Sequence, residues 1–426
     1  MRLQSIFGYF GVRDGGTRRR SDSLDSITKG GPPSDEPPPS ERGPILPEAP
    51  KVQAPATLTV VETVAPLGLE DLEAAMQQVS DDVTHWSNAG CVSVRNLQDA
   101  IRNHGRVDLM RCTKDGDRMV AVKRMPNKWV RNGPKEFAEQ YPTASEKPWG
   151  DIGLLRKLNT VGFPYVCDLA GVYRSNEETF VVTSFCTEGD LFAWCDRENV
   201  PRPGRDREKT MLPIVTQIFT AVRWLHELGI AHRDLSLENI LLTDVGGGEL
   251  HVKVIDFGMA TLSQTCRREV RGKQSYQAPE MHTEAEYDTF LGDAFAIGVV
   301  LFAMAAQDYP WTCTKRNSCQ LFEYVSMFGL RRFLEKRKLR KGNGEYLLDV
   351  FSPAFTEIIE AMLQTQPKQR ACFGEHCLSE QVTGKPRRNI WEMKWLEGVG
   401  SPNASMPPFA PRTVTTPDGT SRIAGG

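Results

Sequence analysis

Residues 226–258, HELGIAHRDLSLENILLTDVGGGELHVKVIDFG, constrain this chain more than any other stretch. Residues 237–242 and 250–255 are short apolar runs that each read as a strand, and the turn VGGG at 245–248 joins them as a hairpin. Pairing the two runs brings Asn239 and Asp256 to one end of the same ribbon. Carboxamide and carboxylate oxygens at that spacing suit a hard divalent cation such as magnesium. Asp234, just ahead of these two runs, is left to accept a proton or orient a hydroxyl.

The motifs HRDLSLEN at 232–239 and DFG at 256–258 are accompanied, in order, by AVK at 121–123, APE at 278–280 and Asp293 before AFAIGVVLF. This series resembles the eukaryotic protein kinase family, in a divergent serine/threonine form, over about Ser93 to Leu396. The resemblance implies an α+β, two-lobed fold, with a small β-rich lobe and a larger helical lobe. It implies transfer of the ATP γ-phosphate to serine or threonine of protein substrates, with ATP and Mg2+ as cofactors. Asp234 would orient the acceptor hydroxyl, Asn239 and Asp256 would hold metal, and Lys123 would hold the α- and β-phosphates.

Four segments are expected: a disordered tail at 1–60, a helical extension at 61–92, the kinase domain at 93–396 and a second disordered tail at 397–426. Residues 14–56 are rich in Gly, Pro, Ser and charge and cannot bury enough apolar surface to fold alone. Ser21 and Ser23, beside three arginines, read equally as a phosphorylation tail or a solvated linker. Leu69, Leu72, Met76 and Val79 recur at helical spacing. That helix, 67–79, either packs on the small lobe or, like the N-terminal tail, docks a partner.

The opening MRLQSIFGYFGVR has too short an apolar run for a signal peptide or a membrane span, so no transmembrane segment is expected. A formal net charge of −2 gives no global field that argues for nucleic acid or a membrane surface. The ten cysteines form no metal-like pair of pairs. Cys372-x4-Cys377 with His376 falls short of a zinc signature. Ordinary thiols in a reducing compartment are expected, which points to the cytoplasm.

In the small lobe, 107–112 and 118–125 read as strands around the turn KDGD at 114–117. Lys123 lies inside an apolar strand, where an ammonium without an anion carries a large desolvation cost. The family's glycine-rich loop maps onto Ala100, Arg102 and Gly105, of which only Gly105 is glycine. Side chains at the other two positions hinder the backbone approach that cradles phosphate. Val107 and Ala121 supply an apolar clamp for adenine, and Leu241 is assigned to the same pocket. Asp151 stands where the family pairs a glutamate with the strand lysine, with Glu146 as the alternative. PWG at 148–150 is expected to break the chain just before the helix 151–158. Strands are expected at 163–173 and 179–185. Thr183 then backs the adenine pocket, Ser184 and Cys186 offer hinge backbone, and Asp190 matches an acid that meets ribose.

In the large lobe, 212–229 reads as a central helix delivering His232, which is structural in the family. Leu155, Leu169, His232 and Phe257 would form an apolar column, with Asp293 anchoring its base. Ser236 replaces the family's lysine two places after the catalytic aspartate, and Lys273 replaces the threonine that touches that lysine. Lys273 is therefore a candidate for the missing cation. Glu269 falls where many kinases carry a phosphorylated threonine and would pair with Arg233; the alternative is phosphorylation at Thr265 or Ser263. Glu280 and Arg370 match a buried ion pair. Helices are expected at 355–363 and 389–398. Glu238 would favour a basic residue near the acceptor. The alternative to an active enzyme is a pseudokinase, a nucleotide- or protein-binding scaffold; its support is Ala100, Arg102, Asp151 and Ser236.

Overall fold

Met76 and Val79, two members of the predicted helical stripe, turn inward from helix α1 (Leu69–Asp81), while Leu69 stays exposed. The computed structural model describes residues 65–100 and 105–399, together with the short strands 413–415 and 421–423. The predicted tail 1–60, with Ser21 and Ser23, lies outside the described residues, as do Arg102 and most of 397–426.

After α1 the chain enters the small-lobe sheet directly through β1 (Thr84–His85) and β2 (Cys91–Ala100). The extension expected at 61–92 is therefore part of this lobe, and the sheet begins before residue 93. β3 (Gly105–Cys112) and β4 (Arg118–Pro126) form the predicted hairpin, with Gly116 and Asp117 at positive φ in its turn. β5 (Leu169–Arg174) and β6 (Glu178–Ser184) complete six strands in the order β1-β5-β6-β4-β3-β2. Only β1 and β5 run parallel. The strand expected at 163–173 begins only at Leu169. Pro164 has no N–H for a ladder, and the carbonyls of Pro164 and Val166 accept from Lys253 Nζ at 2.7 and 2.9 Å instead.

Two short helices, α2 (Asn127–Val130) and α3 (Pro134–Gln140), precede α4 (Pro148–Thr160). PWG does not break the chain; it starts α4. Pro148 occupies the first turn, where its missing N–H has no intrahelical partner to lose. Trp149 is buried and its indole N–H donates to the Val130 carbonyl at 2.8 Å. α1 packs across α4 at Gly153, where a Cβ would lie 2.6 Å from Met76 Cγ. Asp71–Lys157 at 2.8 Å and Asp82–Arg156 at 3.5 Å pin the crossing. The inner face of the 67–79 helix is thus occupied within the chain.

The large lobe is built on α5 (Leu191–Cys195), α6 (Arg205–Glu227), α7 (Glu280–Thr283) and α8 (Thr289–Ala306). α6 starts ahead of the predicted residue 212 and carries Pro213 inside it. α8 is long and apolar enough to cross a membrane, and it is wholly buried as the core of this lobe. The ribbon predicted from the opening motif forms from β7 (Ile240–Asp244) and β8 (Leu250–Val254), with Ile240 opposite Val254. Residues 237–239 are a 3-10 turn rather than strand, because Asn239 turns back to bond Asp234. β9 (Thr265–Arg267), in the segment leading to APE, pairs with β10 (Glu286–Asp288) beyond it. The remaining helices are α9 (Gln320–Phe328), α10 (Leu330–Lys336), α11 (Leu347–Val350) and α12 (Pro353–Met362), followed by a single turn, α13 (Glu380–Thr383). The closing helix expected at 389–398 is two 3-10 turns, Ile390–Glu392 and Lys394–Leu396. Arg370 is fully buried and forks onto Glu280 at 2.5 and 2.9 Å, as the sequence led one to expect.

Candidate active site

A cleft of about 680 Å³ opens between the β-sheet and the catalytic loop, and it collects the acidic residues that the sequence singled out. Lys123 projects into it from β4 and binds Asp151 Oδ2 at 2.8 Å and Asp256 Oδ1 at 3.3 Å. Burial alone would discharge this ammonium. The two carboxylates outweigh burial and raise the Lys123 pKa above the usual lysine value. The Lys123 charge in turn lowers the pKa of Asp256. Asp151 also accepts the Phe257 N–H at 2.8 Å, so one carboxylate ties α4 to both the lysine and the DFG segment. The shorter aspartate reaches Lys123 directly. Glu146, buried nearby, adds to the field at Lys123 and is not its bonded partner.

The catalytic loop is held from beneath. Asp293, buried in α8, accepts the backbone N–H groups of His232 at 2.7 Å and Arg233 at 2.8 Å. Arg233 sits at φ +68°, a strained conformation that these two bonds help to hold. The His232 ring meets Phe257 at a tilt, 5.0 Å between centroids, and its Nε2 bonds the Ile255 carbonyl at 3.0 Å, consistent with a structural histidine. His226 bridges Asp293 at 3.1 Å and Glu375 at 2.6 Å. Burial opposes charge on His226, but the two carboxylates prevail and raise its pKa to about 9. Glu375 carried no signal in the sequence reading; only the fold brings it against α6.

Asn239 donates to the Asp234 carbonyl at 2.7 Å and to Asp234 Oδ2 at 3.1 Å. Its amide nitrogen is thereby engaged, which leaves Oδ1 as the atom that a cation would take. Asp256 has φ +67°, placing its carboxylate in the same cleft. A carboxylate and a carboxamide oxygen fit magnesium's preference for hard donors.

Ser236 and Lys273 are brought together. Lys273 Nζ lies 2.5 Å from Ser236 Oγ and 3.1 Å from Glu238 Oε2, and its backbone N–H donates to Asp234 Oδ1 at 3.1 Å. The ammonium thus stands beside the position where the family lysine is missing. Glu238 is engaged by Lys273 at 3.1 Å and stays partly exposed at the mouth of the cleft. Arg233 binds Glu269 at 2.5 Å, and Arg271 approaches the same carboxylate at 3.5 Å. Burial pushes the Glu269 pKa up, but the guanidinium of Arg233 reverses this and lowers it overall.

Val107, Ala121 and Leu241, the predicted apolar clamp, all line the cleft. Thr183, Ser184, Cys186 and Asp190 all line the cleft. Thr183 Oγ1 donates to the Ala121 carbonyl at 3.4 Å. The Ser184 N–H is taken by the Asp168 carbonyl at 2.9 Å, so a purine would use other hinge groups. Asp190 caps α5 by accepting the Ala193 N–H at 2.7 Å, and burial raises its pKa. Gly105 is the exception. It pairs with Ala100 inside the β2–β3 ladder and does not line the described cleft. A Cβ there would sit 1.9 Å from the Arg124 carbonyl, so close contact with β4 explains this glycine without any phosphate. The cleft wall on this side is instead Arg95, Leu97, Gln98 and Asp99 of β2. Two register shifts, at Ser93/Arg95 and Asn96/Gln98, aim these side chains, and no periodicity in the sequence shows where such shifts fall.

Residues 103–382 match the family model described as the protein kinase domain. The chain belongs to the protein kinase family. The two-lobed kinase fold expected from the sequence is the fold observed. Among similar proteins, CBL-interacting serine/threonine-protein kinase 13 of Arabidopsis thaliana is 29% identical over 232 residues, which is 53% of this chain and 40% of the relative. Protein kinase kin1 of Schizosaccharomyces pombe is 28% identical, over 58% of this chain and 23% of its own length. Serine/threonine-protein kinase SCH9 of Candida albicans is 26% identical, over 72% of this chain and 34% of its own length. The chain thus spans less than half the length of these relatives.

Proposed function

We propose that this kinase domain binds ATP with magnesium in the cleft and transfers the γ-phosphate to serine or threonine of protein substrates. The observation that carries the reading is the bonded set Asp256–Lys123–Asp151, in one cleft with Asp234, Asn239 and Lys273. Lys123 holds the α- and β-phosphates, and its paired carboxylates keep it charged. Asp234 orients the acceptor hydroxyl and receives its proton. Asn239 and Asp256 hold magnesium, which neutralises phosphate charge when bound. Lys273 stands in for the lysine absent at Ser236 and favours negative charge on the transferring group. No feature of the described cleft favours the scaffold alternative. Within this proposal the ten cysteines are ordinary thiols of a reducing, cytoplasmic setting.

The test is radiolabel transfer from ATP to a serine/threonine peptide library by the full chain. Asp256→Ala is expected to lower kcat at least ~100-fold, the scale of losing a main charge-stabilising contact. Asp234→Asn serves as a second inactive control. Transfer unchanged in both variants would trace to a contaminating enzyme and end the proposal.

A further inference from the structure

Two thiols in the wall of the cleft face each other without a role in phosphoryl transfer. Cys167 and Cys186 are each about one-twentieth exposed, their sulfurs lie 3.7 Å apart, and both line the nucleotide cleft. Their backbones are clamped alongside one another. Ser184 N–H donates to the Asp168 carbonyl at 2.9 Å, and Asp168 N–H donates to Ser184 Oγ at 2.9 Å. The sulfurs cannot drift apart without breaking that exchange.

We propose that Cys167 and Cys186 form a peroxide-responsive dithiol that closes to a disulfide and shuts the cleft to nucleotide. Cys167 is the attacking sulfur. The hydrogen bond with Cys186 lowers its pKa, burial opposes this, and the Lys253 ammonium assists. Lys253 is anchored beside it by the Pro164 and Val166 carbonyls. Cys186 holds its proton more tightly because it shares the same hydrogen bond. Other thiols differ: burial pushes Cys195, Cys372 and the half-buried Cys377 up to about 12, where a thiolate is scarce.

The chemistry balances with a hydroperoxide as oxidant. The Cys167 thiolate attacks one peroxide oxygen; an S–O bond forms, the O–O bond breaks, and the leaving hydroxide takes up a proton to become water. The Cys186 sulfur then attacks the sulfenic sulfur; the S–S bond forms, the S–O bond breaks, and hydroxide leaves with the Cys186 proton as a second water. Two thiols lose two electrons and the peroxide gains them. Closure brings the sulfurs from 3.7 Å to about 2.05 Å. Cys186 belongs to the hinge between β6 and α5, so this contraction displaces the backbone that meets the purine. The switching consequence rests on the nucleotide reading of the cleft; the disulfide chemistry does not.

The experiment treats the full chain with hydrogen peroxide, blocks remaining thiols and maps peptides without reduction. The expected product is a Cys167–Cys186 linked peptide, two hydrogens lighter than its parts, formed more slowly when Mg-ATP is present. The treated-to-untreated rate ratio should fall up to about a hundredfold, the scale of a 1 Å misplacement, and fluorescent-nucleotide affinity should fall with it. Dithiothreitol should restore both. In Cys167→Ala, the ratio of treated to untreated rate should stay near one, whatever that variant's starting rate. Absence of the linked peptide once other thiols are oxidised overturns the proposal in the unmodified chain, even if the variant fails to fold. An equal fall in Cys167→Ala overturns it too. A linked peptide that forms without changing nucleotide affinity removes the switch. A chain that binds nucleotide and forms the link yet transfers no phosphate counts against phosphoryl transfer, not against the dithiol.

Discussion

The floor and the roof of the cleft depart from their family in different ways. On the floor, one lost cation at Ser236 is matched by a cation arriving from Lys273, 2.5 Å away. On the roof, alanine and arginine stand at the family's glycine positions 100 and 102, and the described wall is formed by side chains of β2. The difference follows from what each surface does. The floor holds point charges that a single side chain can replace. The roof offers backbone N–H groups, which a substitution hides rather than supplies. The floor thus keeps a cation beside Ser236, while the described roof presents side chains of β2.

The comparison is broken most forcefully beneath the floor. His226, buried between Asp293 and Glu375, has its pKa raised from 6.5 to about 9. A raised histidine stabilises the fold fully below its unfolded pKa, and that contribution is lost as pH climbs through about 9. The amount is on the order of 3 kcal/mol. Urea midpoints should therefore drop between pH 6.5 and 9.5. Glu375→Gln should narrow that drop by lowering the folded pKa. Parallel pH curves for the two proteins would show that Glu375 does not set the charge under the catalytic loop.

Gly105→Ala comes next, on the roof. It should destabilise the fold by roughly 2 kcal/mol, because its Cβ meets the Arg124 carbonyl rather than a flexible side chain. Thermal melting reads this directly, and the ATP KM of the remaining folded enzyme should change little. A raised KM with an unchanged melting temperature would return Gly105 to the phosphate loop.

Lys273→Thr should lower kcat about tenfold, the scale of one charge-assisted contact to the transferring group. Ser236→Lys combined with Lys273→Thr recreates the family arrangement and should recover part of the loss. Strictly additive effects in this cycle, or a Lys273→Thr enzyme as fast as the parent, would leave the floor without a compensating cation. The smallest effect is expected from restoring glycine at Ala100 and Arg102 together. If the loop takes the family's shape, the ATP KM should fall a few-fold. An unchanged or higher KM would mean that the β2 side chains form a phosphate roof of their own.

The floor was the more legible region. Asp234, Asn239 and Asp256 lie in short motifs whose spacing is set by one turn and one hairpin, so local rules carry them to their places. Asp151 was legible by its position at the start of a helix, although PWG was misread as a break when it is that helix's first turn. The roof was not legible, because register shifts in β2 depend on the pairing with β3.

The sequence by itself determined the family, the two-lobed fold and the acids that line the cleft, since these depend on local motifs and on order along the chain. Tertiary structure alone decided four things: that α1 packs on α4 at Gly153, that Lys273 reaches Ser236, that Glu375 supports His226, and that Cys167 touches Cys186. Each joins residues from 19 to 149 positions apart, or rests on a side chain that a glycine lacks. No periodicity encodes such contacts. They arise only when separate elements pack, and burial then decides which charges and thiols must find partners.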